Sequence, residues 1–506
     1  MAFLFVNSIL SWFLKKRKHQ LDLSLKYPIE VQNELLLNLL KTASNTEIGK
    51  KYDFKNMDTY HKFSRSVPIQ KYESIEPLIE RTRRGEHNVF WPSQIKWFAK
   101  SSGTTHSKSK FIPVSDEAIA YCHFNAGKDM LCLFFNNNPN ADLFSGKSLR
   151  LGGSSAIYED NNTYFGDLSA IIIENMPFWA DFSSAPKQEI ALMSEWETKM
   201  DAIVAETIHK DITSLAGVPS WMLVLLNRVL EATGKKDILE VWPNLEVYFH
   251  GGVNFTPYKE QYKKLIPSSS FKYYETYNAS EGFFAIQDQN NSDELLLMLD
   301  YGIFYEFIPM HSFEGENSNA ISIEEVELNT NYALVITTNS GLWRYLIGDT
   351  IKFTSLTPHR IKITGRTKHF INVFGEELII ENTENALQIA CQKCNAEILE
   401  YTVAPIFMKG KEKGAHEWII EFKMAPESLE DFSICLDSTL QQINSDYEAK
   451  RYKNMTLDFP KIHSSRKHLF YDWLKSEKKL GGQHKVPRLS NNRDLMENLL
   501  KLNKKS

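Results

Sequence analysis

Val247-Tyr-Phe-His-Gly-Gly252 and Tyr273-Tyr-Glu-Thr-Tyr-Asn-Ala-Ser-Glu281 settle the fold class. Each is a short apolar and aromatic run that ends in a glycine pair or a small polar turn, the pattern of a buried strand running into a loop. Upstream, Lys187 to His209 carries apolar residues at helical spacing, and Ala216-Gly-Val-Pro219 leads into a second helical pattern with the proline near its first turn. Strands alternating with helices predict an α/β sheet, whose ligands sit at loops on the strand ends. Leu295 to Asp300, Phe304 to Ile308 and Tyr332 to Thr337 follow with no helix between them. The expectation is therefore a large N-terminal α/β domain with a β-barrel-like part.

Beyond Ile361-Lys-Ile-Thr-Gly-Arg366 the pattern changes. A helix (Ile380 to Cys394), strands (Tyr401 to Phe407 and Glu417 to Phe422), a helix (Leu429 to Ala449) and a lysine-rich end read as a small α+β domain. The expected division is residues 1–362 and 363–506. Earlier, Ile29 to Ala43 is helical in spacing, and Ser115-Asp-Glu-Ala118 looks like a helix cap followed by acidic first-turn residues.

Composition narrows the partners. The chain has 506 residues, 42% hydrophobic and 24% charged, enough for two to four domains with a sizeable core. A net charge of −5 lacks the basic excess of a nucleic-acid protein, so a small-molecule substrate and no nucleic acid are expected. Five cysteines, odd and sparse, fit a reducing cytoplasm, and a cytoplasmic monomer is the expectation. The Cys391-Gln-Lys-Cys394 spacing has no second ligand pair and reads as incidental thiols rather than a zinc site. No apolar run reaches the roughly 18 residues that span a bilayer, so no stable membrane insertion is expected. Met1 to Leu14 is apolar and precedes Lys15-Lys-Arg-Lys18, the wrong order for a secretory signal. It reads as an amphipathic helix docked on the body or, alternatively, as a peripheral membrane contact.

The chemistry starts at Trp97-Phe-Ala-Lys-Ser-Ser-Gly-Thr-Thr-His-Ser-Lys-Ser-Lys-Phe-Ile-Pro113. It reads as a strand-loop-strand hairpin in which Ser101, Ser102, Gly103, Thr104 and Thr105 curl hydroxyls and N–H groups toward phosphate oxygens, with lysines as countercharge. An ordinary solvated loop has the same composition. Ser148-Leu-Arg-Leu-Gly-Gly-Ser-Ser155 is a rival loop without lysines on its far side. Tyr277 at a strand end can present a ring face to an adenine, although taken alone a tyrosine there reads first as an ordinary core residue. Ser280 and Glu281 follow within reach of the same ligand, Glu281 reading as a Mg²⁺ anchor beside a triphosphate or as a solvated charge. Asp349 suits ribose hydroxyls and Arg366 ribose or phosphate oxygens, against a turn aspartate and a surface ion pair.

Ser101 to Thr105, Gly251-Gly252, Tyr277 to Glu281, Trp343-Arg-Tyr-Leu-Ile-Gly-Asp349, Gly365-Arg366 and Gln483-His-Lys-Val-Pro-Arg488 appear in that order. In this order the chain resembles the adenylate-forming enzymes, and most closely the Gretchen Hagen family of acyl-acid amido synthetases known from plant auxin and jasmonate conjugation. The resemblance covers nearly the whole chain. It implies ATP and Mg²⁺ as cofactors, a carboxylic acid and an amino acid as substrates, and a catalytic lysine in a mobile C-terminal domain. Lys485 and Lys368 compete for that role. The resemblance also sets rivals aside for test: an acyl-CoA ligase, or a silent nucleotide-binding protein. His106, Ser107 and Lys108 stand where many such enzymes have further glycines, and Ala279 and Leu346 replace a serine and an arginine of the plant motifs. These departures bear on which acid is taken. Val218, Trp221, Met222 and Leu225 are candidate acyl-pocket walls, or a plain core face.

Overall fold

The computed structural model describes residues 17–101, 110–152, 157–160, 162–176, 183–193, 195–252, 255, 258–367, 370–371, 378–407, 414–444, 447–448, 451, 457–477, 479, 485–490 and 492–504. The chain groups into two compact units: Met1–Val253 with Tyr262–Ile347 and Ile351–Lys362, and Asn254–Gln261 with Gly348–Thr350 and Ile363–Ser506. The expected helix at Met1 to Leu14 and the turn at Lys409 to Lys413 lie outside the described residues, as do Ser102, Gly103, Thr104, Thr105 and Lys368.

In the large unit, helix α1 (Pro28–Ala43) starts on a proline whose missing N–H costs nothing in a first turn, and buries Leu36, Leu39, Leu40 and Ala43. Strands β1 (Trp97–Ser101) and β2 (Lys110–Val114) pair antiparallel, Trp97 opposite Val114 and Ser101 opposite Lys110. Ser115 accepts the Ala118 N–H as a helix cap, while its own N–H donates to Ser340 Oγ and its hydroxyl to the Asn339 carbonyl. A π-helical turn over Ile119–His123 then leads into α2 (Phe124–Asn137).

Next come β3 (Lys147–Leu151), β4 (Tyr158–Asp160) and β5 (Thr163–Gly166). β5 runs parallel to β1, Ala99 opposite Gly166, in a four-stranded sheet of order β2-β1-β5-β4. After α3 (Leu168–Glu174) and β6 (Ser184–Ala185), the helix expected over Lys187 to His209 is broken. It forms a short turn at Gln188–Ala191 and then α4 (Trp196–Thr207). The break has a local cause: the Glu195 carboxylate accepts the Glu197 and Thr198 N–H groups and so starts a new helix.

Further elements of this unit are β7 (Ile212–Gly217), α5 (Pro219–Thr233), β8 (Val247–Gly251), β9 (Lys272–Ala279), β10 (Gly282–Ile286), β11 (Leu295–Leu297), β12 (Ile303–Pro309), β13 (Asn331–Thr338), β14 (Tyr345–Leu356) and β15 (His359–Arg366). They build one sheet of order β12-β13-β14-β15-β11-β10-β9-β8-β7-β3-β6. β11, β12 and β13, the strands of the expected barrel-like part, belong to this same sheet. β6, β3, β7, β8 and β9 run parallel to one another, and from β9 to β10 to β11 to β15 the pairing is antiparallel.

One ion pair lies deep in this core. Glu306 on β12 is fully buried, and Arg344 donates to its carboxylate from Nε and Nη2 at 2.8–3.0 Å. Arg344 Nη1 donates to the Ser64 and Val67 carbonyls, both at 2.7 Å, and the Tyr60 hydroxyl donates to Glu306 Oε1 at 3.1 Å.

The small unit contains β16 (Phe370–Ile371), β17 (Leu378–Ile379), α6 (Ile380–Lys393), β18 (Glu397–Ile406), β19 (Ala415–Met424), α7 (Leu429–Ile443), β20 (Lys461–Ser464) and α8 (Asp494–Asn503). Tyr401, Trp418, Phe432 and Leu436 lie in its core. Helix α7 ends at Ile443, where the expected helix is interrupted: the Asn444 side chain accepts the Tyr447 N–H and its carbonyl the Glu448 N–H, a cap that restarts the helix at 447–448. Glu417 on β19 binds His463 and Arg493, the latter also paired with Glu497 of α8. Cys391, Cys394 and Cys435 are free thiols, as are Cys122 and Cys132. Among the described residues no helix is long and apolar enough to cross a membrane.

Candidate active site

Four parallel strands deliver their C-terminal ends to one edge of the large sheet. Leu151 stands opposite Gly217, Gly217 opposite His250, and Gly251 opposite Thr276. Gly152, Gly217, the Gly251-Gly252 pair and the turn after β9 therefore line up where α/β sheets bind ligands. Gly251 is a matter of space, since a Cβ there would stand 2.4 Å from the Thr276 carbonyl oxygen, and Gly252 has φ +83°.

Ser280-Glu281 is the two-residue connection between β9 and β10, with Ala279 paired to Gly282. Ser280 is 4% exposed, and its Oγ has no hydrogen-bond partner among the described residues. A buried hydroxyl left unpaired costs free energy that a ligand oxygen would recover. Glu281 beside it is half-buried. Tyr277 is 5% exposed with its ring centroid 4.8 Å from that of Phe284, inside the hydrophobic core. Met222 and Leu225 are fully buried on α5, while Val218 and Trp221 at its start are half-buried. Ser101 ends β1 at the root of the hydroxyl loop.

Two further side chains, one at this edge and one at the end of β5 in the four-stranded sheet, carry no motif. Lys199 on α4 is 1% exposed and its Nζ donates to the Gly152 carbonyl at 3.4 Å. Burial lowers its pKa to about 8, with Asp167 opposing. Asp167 follows the last residue of β5, and its Oδ2 is buried with no hydrogen-bond partner among the described residues. Burial raises its pKa to about 7, against the opposing charges of Lys100 and Lys199. The one trace in the sequence is that Lys199 shares a buried helical stripe with Ile203 and Thr207.

In the small unit, three sequence candidates come together. Arg366 Nε donates to Asp349 Oδ1 at 2.7 Å, and the Thr367 N–H donates to the Gly348 carbonyl, Gly348 having φ +90°. Lys485 keeps an exposed side chain, yet crowding of its ammonium by protein, together with repulsion from Arg366, lowers its pKa to about 8, with Asp349 opposing. The segment after Lys485 is docked along β18. Thr402 donates its hydroxyl to the Pro487 carbonyl, the Val403 N–H donates to Arg488, and the Ser490 N–H donates back to Val403. Arg488 pairs with Glu400, donates to the Tyr258 hydroxyl at 3.1 Å and lies 4.6 Å over the Tyr401 ring.

The chain matches the GH3 family N-terminal domain over residues 17–271, the GH3 family central domain over 296–366 and the GH3 family C-terminal domain over 381–494. It is 22% identical to an indole-3-acetic acid-amido synthetase, GH3.3, of Arabidopsis thaliana, covering 92% of this chain and 90% of that one. It is also 22% identical to a jasmonoyl-L-amino acid synthetase, JAR6, of Nicotiana attenuata, covering 84% of each. In fold it is similar to AtGH3.15 acyl acid amido synthetase in complex with 2,4-DB, with TM-score 0.82, 16% identity, and coverage of 97% of this chain and 96% of that one. A 2-hydroxyisobutyryl-CoA ligase in the postadenylation state is also similar in fold, with TM-score 0.60, 12% identity, and coverage of 94% and 92%. With its N-terminal, central and C-terminal regions all matched in order, the chain belongs to the GH3 family.

Proposed function

We propose that this protein is an ATP-dependent acyl-acid amido synthetase. A carboxylate oxygen attacks the α-phosphorus of ATP, pyrophosphate leaves, and the amine of an amino acid then displaces AMP from the acyl-adenylate to form an amide. The observation that carries this reading is the ordered family match over residues 17–494, whose curated relatives are named as amido synthetases along nearly their full length. No covalent nucleophile is needed. The residues position ATP and acid and offset charge developing on phosphorus.

In this reading the β1–β2 hairpin loop and Ser280 offer hydroxyls to phosphate oxygens, Asp349 holds the ribose hydroxyls, and Arg366 and Lys485 offset phosphate charge. Lys368 is the rival of Lys485. Mg²⁺ would supply neutralising charge on the triphosphate, with Glu281 as its protein ligand. Among the described residues no three acidic, histidine or cysteine side chains could hold a metal ion by themselves, which suits an ion that takes one carboxylate and completes its shell from phosphates and water. Val218 and Trp221, half-buried at the start of α5, suit an acyl-pocket wall better than Met222 and Leu225. The enzyme is read as a cytoplasmic monomer in which residues 1–362 bind ATP and acid and residues 363–506 move between half-reactions.

The test is pyrophosphate exchange into ATP across a panel of carboxylic acids, followed by product analysis with amino acids and with CoA. Acid-dependent exchange and an amide product support the proposal. Exchange followed only by thioester makes the protein an acyl-CoA ligase, and no exchange with any acid removes the enzymatic reading.

A further inference from the structure

We propose that Asp167 and Lys199 are the recognition pair for the zwitterion of the acceptor α-amino acid, Lys199 taking its carboxylate and Asp167 its ammonium. The inference rests on the amido synthetase reading and adds to it where the acceptor docks.

Placement is the first argument. β1 and β5 are parallel with Ala99 opposite Gly166, so Lys100 and Asp167 are the next residues along, at the C-terminal ends of both strands. That point is also the root of the hairpin loop assigned to phosphate. Lys199 reaches the carbonyl of Gly152 just past the end of β3 and faces Asp167 electrostatically, so the cation touches the strand edge and the anion the loop root.

The second argument is how the pair is built. A buried ion pair that serves the fold closes into direct contact, as Arg344 and Glu306 do with several bonds of 2.8–3.0 Å. Asp167 does otherwise. It occupies the cap position of α3 but its side chain makes no capping bond, and its buried Oδ2 has no hydrogen-bond partner among the described residues. An α-amino acid offers the missing donor, its ammonium, together with a carboxylate for Lys199.

The third argument is chemical. An ammonium must lose a proton before it can attack. The charged groups facing Asp167 are Lys100 from β1 and Lys199 from α4, and burial outweighs both, leaving a carboxylate that accepts a proton near neutrality. One ammonium proton passes to Asp167, and the neutral nitrogen attacks the acyl carbonyl carbon. The C–N bond forms, and the acyl C–O bond breaks with its electron pair going to the phosphate of AMP. The second nitrogen proton leaves to that phosphate or to water.

The experiment compares the twenty proteinogenic L-amino acids with their own carboxamides, which keep the nucleophile and lose the carboxylate. The wild-type enzyme should prefer the best amino acid over its carboxamide by at least tenfold in kcat/KM, and Lys199→Met should bring that ratio close to one. Lys199→Arg should restore most of it. Asp167→Asn should remove the rise of amide formation between about pH 6 and 8. A structural pair would lower both acceptors in parallel and leave the ratio intact, which would overturn the proposal. So would a wild-type ratio near one, a measurement that needs no variant. Absence of acid-dependent pyrophosphate exchange in the wild type would instead defeat the amido synthetase reading itself.

Discussion

Replacing Glu306 by Gln should destabilise the large unit by about 3–5 kcal/mol, the cost of leaving one member of a buried ion pair uncompensated. Arg344 has no route to water: its side chain is 6% exposed, Nη1 is engaged by the Ser64 and Val67 carbonyls, and Nε and Nη2 point at Glu306. The amide keeps the shape and one acceptor but removes the charge, and its NH₂ group would face the guanidinium. At roughly 2 °C per kcal/mol, expected for a large domain, the melting transition should fall by about 6–10 °C. Differential scanning calorimetry against the wild type checks this. Arg344 also lies in Trp343 to Asp349, the segment read as nucleotide-binding, so the ATP KM of Glu306→Gln should be measured below its melting temperature. An unchanged melting point, or a raised ATP KM at an unchanged melting point, would show that the pair serves the ligand rather than the fold.

Glu281→Ala should mainly slow adenylation and Asp349→Ala should mainly weaken ATP binding, each by about 10- to 150-fold, equivalent to roughly 1.5–3 kcal/mol for a charge-assisted bond; wild-type exchange in the folded variants would remove those assignments. Lys485→Ala should depress pyrophosphate exchange while sparing amide formation from a supplied acyl-adenylate, and equal loss in both assays would pass the role to Lys368. Because the Lys485 pKa is lowered to about 8, the protonated form declines above that pH, so exchange should fall as pH rises through about 8 and Lys485→Arg should move that limb upward. His463, with Arg493 adding to it, lowers the Glu417 pKa to about 2, a stabilisation complete above the ordinary value near 4.5 and lost as pH falls toward 2. Acid titration of unfolding should therefore flatten over that window in Glu417→Gln, and an unchanged profile would refute the linkage.

The features read directly from residues were those set by local chemistry. The Ser115 cap, the β1–β2 hairpin and the proline start of α5 each depend on a few neighbours, so their signals survive in the chain. The helix over Lys187 to His209 failed because one carboxylate, Glu195, reset the backbone inside a continuous apolar pattern. Strand patterning records which faces are buried and not strand order, so the sequence marked β11, β12 and β13 as a helix-free, β-rich part without giving their places in the large sheet. At the site, the glycines and the Ser280-Glu281 turn were visible because backbone approach restricts residue choice. Asp167 and Lys199 were not, since their relation exists only once β5 and α4 are packed. Asp349 and Arg366 were each read as ligand contacts, and their mutual hydrogen bond follows from the pairing of the consecutive strands β14 and β15, a register not worked out from the sequence.

Asn254–Gln261 sits in the chain between β8 and β9 but belongs to the small unit, where Tyr258 accepts from Arg488 and Gln261 donates to the Ile398 carbonyl. A gene fragment that starts after Lys362 would therefore encode the small unit without part of its own wall. Arg488, whose neighbours hold the Lys485 segment to β18, would lose a partner. Recombination at that point would transplant the small unit incomplete, so exchange between relatives is constrained to carry the β8–β9 connection along with the C-terminal half, and the two regions are expected to have diverged together.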